Sequence, residues 1–171
     1  MSRGRLLALA SFVAVVLPAL VLSDNLHSLA ESTSFDRLML GLRWLEPQGS
    51  RWDPNFPLGT AVLMAIPHAL GLDPVAWGRG LSLLCAAGAG AVLFALVRRA
   101  AGDLAAGAAV AGMWWVPAVT RGAVVTGEEA PYLLCLLLAL YGMVRGAEER
   151  AEWRWLALSV LAGNAMALVR L

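Results

Sequence analysis

No lysine occurs in the chain; all 13 basic side chains among its 171 residues are arginine. With so much Ala, Gly and Leu, this reflects GC-rich coding rather than chemistry. Charge of either sign is scarce, at 15% of residues, while 60% are hydrophobic. A soluble domain averages about 25% charged and about 45–50% apolar residues. The shortfall excludes an ordinary cytosolic enzyme and a disordered tail. A net charge of +1 with no basic stripe excludes a nucleic-acid binder. Cysteine is nearly absent. Cys85 and Cys135 both lie in apolar stretches, with neither disulfide context nor metal-ligand spacing, and read as small packing residues. No phosphate loop, zinc motif, nucleophile elbow or Cys/His constellation is present.

What is present is a series of long apolar runs. Leu6–Leu22 follows Arg3 and Arg5, as a signal peptide would. Its length, the poor cleavage site at Val21-Leu22-Ser23 and the later apolar runs favour a retained span. Pro18 would kink it. Ser23 to Pro57 is the most polar part of the chain. Within it Leu26, Leu29, Ala30, Leu38, Leu42 and Leu45 recur at helical steps among charges. That pattern predicts an amphipathic helix along the membrane surface. Leu58–Leu72 contains Pro67 and His68 and is too short for a hydrocarbon core of about 30 Å. It reads as a second surface or half-inserted helix. Asp73 can cap the helix that follows, with Pro74 at its first position.

Val75–Val97 is long enough to span, and Arg98-Arg99 close it. A tight connection, Ala100 to Asp103, leads to an expected third span, Leu104–Val119. Small residues are dense from Ala86 to Gly112, which predicts a close hairpin. Arg121 to Glu129 reads as a polar loop, Ala130–Val144 as a fourth span, and Arg145 to Arg154 as a charged loop. Trp153 and Trp155 stand where an aromatic belt belongs. Leu156–Leu171 begins a fifth span. The expected fold is therefore all-α: a polytopic transmembrane helical bundle of about five spans. Two amphipathic juxtamembrane helices lie in its first outer loop, residues 23–73, within a single membrane domain covering 1–171. If the spans alternate, Arg3, Arg5, Arg98, Arg99, Arg145, Arg150 and Arg154 share one side. The positive-inside rule makes that side, and the N-terminus, cytoplasmic. The expected location is a bacterial-type plasma (inner) membrane.

This topology collects carboxylates on the outer face. Asp24, at the outer end of the first span, can act as a general base or ligate a divalent cation. It can equally be a solvated residue that ends a helix. His27 can orient an acceptor or phosphate, or simply be a surface residue. Pro54 and Pro57 stiffen the loop around Asp53, so that Asp53 serves a cleft or merely starts a turn. Glu128-Glu129 opens the fourth span, where acidic residues complement the helix dipole, with Thr126 as a cap. The same pair can bind Mg or Mn. Arg79 and Arg170 each lie near the outer end of a span, where an arginine clamps a lipid-linked phosphate or snorkels to the headgroups. Asn164 is polar within a span, which predicts an interhelical hydrogen bond.

The order of these features resembles the N-terminal part of GT-C glycosyltransferases, of the protein O-mannosyltransferase and aminoarabinose transferase type. The matching residues are Asp24-Asn25, the helix Leu26 to Leu45, Phe56-Pro57-Leu58, Arg79-Gly80-Leu81-Ser82, the Arg98 to Asp103 turn and the stretch Gly163 to Arg170. Asn25 stands where the family has a second acid, and Gly59 where it has a tyrosine. The resemblance implies a polyprenyl-phosphate-linked sugar donor, an acceptor glycan, lipid or protein, and inversion at the sugar carbon. It gives Asp24 the role of base and Asp53 that of a second acid. Glu128 or Glu129 becomes the outer-loop acid, and Arg170 the donor-phosphate residue. The chain reads as the N-terminal part of such a module. Two other readings stand beside it. A transporter or flippase fragment would carry polar residues deep in several spans, whereas here they gather at the ends. A non-catalytic membrane scaffold is the other.

Overall fold

The computed structural model describes residues 58–124, 128–148 and 152–170. The first span, the amphipathic helix and the loop around Asp53 lie outside the described residues. Those described are all helical, in the order α1 (Leu58–Ala69), α2 (Pro74–Trp114), α3 (Pro117–Val124), α4 (Glu129–Glu148) and α5 (Trp153–Arg170).

Helix α1 ends three residues before the apolar run does. Pro67, fully buried within its last turn, has no N–H to extend the ladder. Gly71 at φ 73 then closes the helix. Its N–H donates to His68 O at 3.0 Å, and Leu72 N–H donates to Pro67 O at 2.9 Å. This is the Schellman pairing, in which glycine takes the left-handed position without steric cost. Asp73 caps α2 as expected: Val75 N–H donates to Asp73 Oδ1 at 2.9 Å, and Pro74 fills the first position.

Helix α2 is not one rod. Gly102 has φ 83 and ψ 178, outside helical space. In a straight helix Gly90 and Val110 would stand about 30 Å apart. Instead, a Cβ on Gly90 would lie 3.7 Å from Val110 Cγ1 and 3.6 Å from Met113 Cε. Phe94, Ala106 and Val110 form a buried cluster between the two arms. The tight hairpin expected from the small residues is therefore present.

The expected span Leu104–Val119 needs correction. Its helix stops at Trp114, an arm of only about 16 Å. Pro117 disfavours a helical residue before it and instead starts α3, which absorbs Arg121 into a helix rather than a loop. Thr120 Oγ1 ties this corner by donating to Trp114 O at 2.6 Å. The charged segment after α4 is also shorter than expected, because α4 runs on through Arg145 to Glu148. The Arg145 guanidinium lies 4.7 Å from the centroid of the Trp155 ring, and Arg99 pairs with Glu148 at 2.7 Å, so charge continues the helix instead of ending it.

Helices α4 and α5 make the closest contact in the fold. A Cβ on Gly142 would sit 2.7 Å from Trp155 O and 2.9 Å from Ser159 N. Glycine is required because the two backbones touch. Tyr141 meets Trp155 edge-on at 5.8 Å. Val75–Trp114 and Glu129–Glu148 are long and apolar enough to cross a membrane.

Candidate functional site

The packing fixes which residues share an end of the bundle. Gly88 of α2 faces Leu134 of α4, and Arg99 pairs with Glu148, so these helices run in the same direction. Gly142 and Gly146 of α4 face the Trp155–Ser159 turn and Leu156 of α5, so α5 runs antiparallel. At 1.5 Å per residue, the last turn of α5 returns to the level of Glu129. One end of the bundle therefore holds Arg98, Arg99, Arg145 and Arg154. Three ion pairs cluster there: Arg98–Asp103 at 2.6 Å, Arg99–Glu148, and Arg154–Glu152. The other end holds Arg79, Glu128, Glu129 and the backbone of Arg170. The arginine cluster expected from the sequence appears at one end of the described fold, but Asp103, Glu148 and Glu152 stand with it, so carboxylates do not collect at the other end alone.

A cavity of about 250 Å³ opens at this second end. Ala86 of α2, Ala118 and Val119 of α3, and Glu128, Glu129, Ala130, Tyr132 and Leu133 at the start of α4 line it. Small residues make room for it: Ala86, Ala123 and Ala130 form one buried cluster beside it, with Trp114 and Cys85 packed on (half-buried, as expected of packing residues). Gly122 lets α3 close on the acidic pair, since a Cβ there would stand 3.0 Å from Glu129 Cβ. Tyr132 N–H donates to Glu128 O at 2.8 Å, which fixes Glu128 at the cap position of α4. One carboxylate oxygen of Glu128 is buried, while Glu129 is exposed. Both sit where the helix dipole favours negative charge. The cavity thus offers carboxylates and a phenol against apolar walls, a surface suited to a hydroxyl-bearing molecule.

Arg79 lies on the same side of α2 as the cavity. Arg79, Ser82 and Ala86 follow steps of three and four residues, so they share one face. Arg79 is half-buried, Ser82 is 1% exposed, and Ala86 lines the cavity about 10 Å further along. The Arg-x-x-Ser element is therefore an inward-facing pair leading to the acidic mouth. Asp24, His27 and Asp53 lie outside the described residues, as does the side chain of Arg170. Among the described residues no group of three or more His, Cys, Asp or Glu could hold a metal ion. Asn164 departs from expectation. Its Nδ2 donates to Val160 O in its own helix at 2.8 Å, and the side chain is exposed.

Sequence reasoning missed Tyr132 and Gly122. The signal was available for Tyr132, one helical turn beyond Glu128 and one of only two tyrosines in the chain. The role of Gly122 depends on how α3 meets α4, which no local pattern encodes.

Comparison with known families places this arrangement. No curated protein and no solved structure shows significant similarity to the chain. The model of one family matches residues 55–170, more than half of the chain, from just after Asp53 to the end of α5. The matched region contains the Arg79–Ser82 face, the hairpin, the acidic cavity and α5. The chain belongs to the dolichyl-phosphate-mannose-protein mannosyltransferase family, membrane glycosyltransferases of the GT-C type.

Proposed function

We propose that this chain carries the acceptor- and donor-facing part of an inverting glycosyltransferase, one that moves a sugar from a polyprenyl-phosphate donor to an acceptor at the extracytoplasmic face. The observation that carries the reading is the family match over the region holding the acidic cavity. In this reading Asp24 takes the acceptor proton as a general base, and Asp53 serves as a second acid. An acceptor oxygen then attacks the sugar carbon opposite the leaving polyprenyl phosphate, which inverts that carbon. Glu128 and Glu129 hold hydroxyl groups of the sugar or acceptor through charge-assisted hydrogen bonds. Arg79 and Arg170 neutralise the departing phosphate, and His27 orients the acceptor. A glycan, a lipid or a protein can supply the attacking group. Two carboxylates leave Mg or Mn short of the six oxygen ligands that such ions take, so a metal here would also draw on Asp24 or Asp53.

The test uses the full-length protein in liposomes with a labelled polyprenyl-phosphate sugar. Asp24→Asn is expected to lower turnover about 100-fold or more, the range of a lost general base. Glu128→Gln is expected to weaken use of donor or acceptor. Undiminished turnover in Asp24→Asn overturns its role. A wild-type protein that moves the lipid between leaflets without transferring sugar would be a flippase instead.

A further inference from the structure

Helix α3 carries a cation to the rim of the cavity. Ala118, Arg121 and Gly122 follow steps of three and four residues, so they share one face of α3. Ala118 lines the cavity, and a Cβ on Gly122 would stand 3.0 Å from Glu129 Cβ. Arg121 therefore belongs to the face that meets the acidic pair. It is exposed, while the three residues after it are buried. Its backbone is fixed on both sides. Thr120 Oγ1 donates to Trp114 O at 2.6 Å, and Gly122 closes on the start of α4. The last turn of α3 also favours a positive charge. The rim thus presents both signs of charge side by side on anchored backbone.

That pairing selects a chemistry. Hydroxyl groups donate to carboxylates, and phosphate oxygens accept from a guanidinium. A phosphate brought up to Glu128 and Glu129 without a cation would be repelled. A glycosyl phosphate offers hydroxyls and an anionic phosphate on one small group, so it matches the rim part for part. Resting on the glycosyltransferase reading above, we propose that Arg121 is a further substrate-binding residue that grips the phosphate of the polyprenyl-linked donor. Glu128 and Glu129 then hold hydroxyls of its sugar. In the transfer step the acceptor oxygen bonds to the sugar carbon and its proton goes to the base. The bond from that carbon to the phosphate oxygen breaks, and its electron pair stays on the phosphate. The leaving phosphate gains one negative charge, so the Arg121 contact strengthens as the bond breaks. Arg79 approaches from α2, and Arg121 from α3, the other wall of the cavity.

The experiment measures binding of labelled polyprenyl phosphate, without a sugar, to the full-length protein in detergent. Polyprenol and inorganic phosphate are the comparison probes. Arg121→Gln is expected to weaken polyprenyl phosphate about ten-fold or more and to leave polyprenol unchanged. Arg121→Lys should recover part of the binding, as a point charge without the bidentate fork. Inorganic phosphate should compete weakly; competition as strong as the lipid's overturns the donor assignment. In sugar transfer, Arg121→Gln should raise the donor KM and lower kcat, while Arg154→Gln at the other end changes neither. Helical circular dichroism checks that each variant folds, and Arg121→Lys carries the comparison if Arg121→Gln does not. Lipid binding and donor KM both unchanged in Arg121→Gln overturn the proposal. A wild type that binds polyprenyl phosphate through Arg121 but transfers no sugar overturns the glycosyltransferase reading and leaves the phosphate site standing.

Discussion

Asp73 shows how one side chain organises its surroundings. Its carboxylate accepts from Val75 N–H and its neighbour Pro74 starts α2, so the cap sets where the longest helix begins. The same helix carries Arg79 and Ser82 one and two turns on, and their facing follows from that start. Asp73→Ala is expected to cost about 1 kcal/mol. In a chain of this size that lowers the thermal midpoint by about 2–4 °C, read by helical circular dichroism in detergent. Asp73→Asn, which caps as well, should leave the midpoint nearly unchanged. Asn164 is the contrasting case at this scale. Its identity alone suggests a bond to a neighbouring helix. The geometry sends that bond back to Val160 and leaves the rest of the amide outward.

Helix contacts depend on single glycines more than on apolar area. Gly142 and Gly146 lie one turn apart on α4 and face α5, but they are not equivalent. A Cβ at 142 would meet backbone atoms of Trp155 and Ser159 within 3.0 Å, while one at 146 would meet the tip of Leu156 at 3.4 Å. A leucine tip can shift; a helix backbone cannot. Gly142→Ala is therefore expected to cost about 1–3 kcal/mol by overpacking, visible as a lower thermal midpoint. Gly146→Ala should be neutral or slightly stabilising, because alanine favours the helix by up to about 1 kcal/mol. Equal effects at the two positions would contradict the packing described. At the α2 hairpin, Gly102 supplies the turn and small residues the closeness. Pro117 then diverts the returning arm into α3, which places Ala118 and Val119 over the acidic cavity.

Among the described residues four arginines gather at one end of the bundle, three of them paired with Asp103, Glu148 and Glu152. Arg98, Arg99, Arg145 and Arg154 stand at one end, and Arg79, Glu128 and Glu129 at the other. The positive-inside rule predicts a cytoplasmic first end. A cysteine at Ala101, exposed beside the hairpin turn, should react with an impermeant thiol reagent in inside-out vesicles and be protected in right-side-out ones, in a background lacking Cys85 and Cys135. The opposite result would invert the orientation and put the acidic cavity in the cytoplasm. Much of this was legible in the chain by itself. Apolar run length, scarce charge, the Asp73-Pro74 start and the Ala/Gly-dense hairpin determined an all-helical membrane fold, because burial, capping and backbone approach are written in local residue types. Other features were decided only by tertiary structure. Leu104–Val119 stopped short because of Pro117, and Arg145 stayed helical because Trp155 came to it from another helix. The Glu128–Glu129 pair became the rim of a cavity only because Ala86 and α3 were brought against it. Residues more than thirty positions apart meet there, and the space between them depends on helix contacts that no stretch of sequence carries alone.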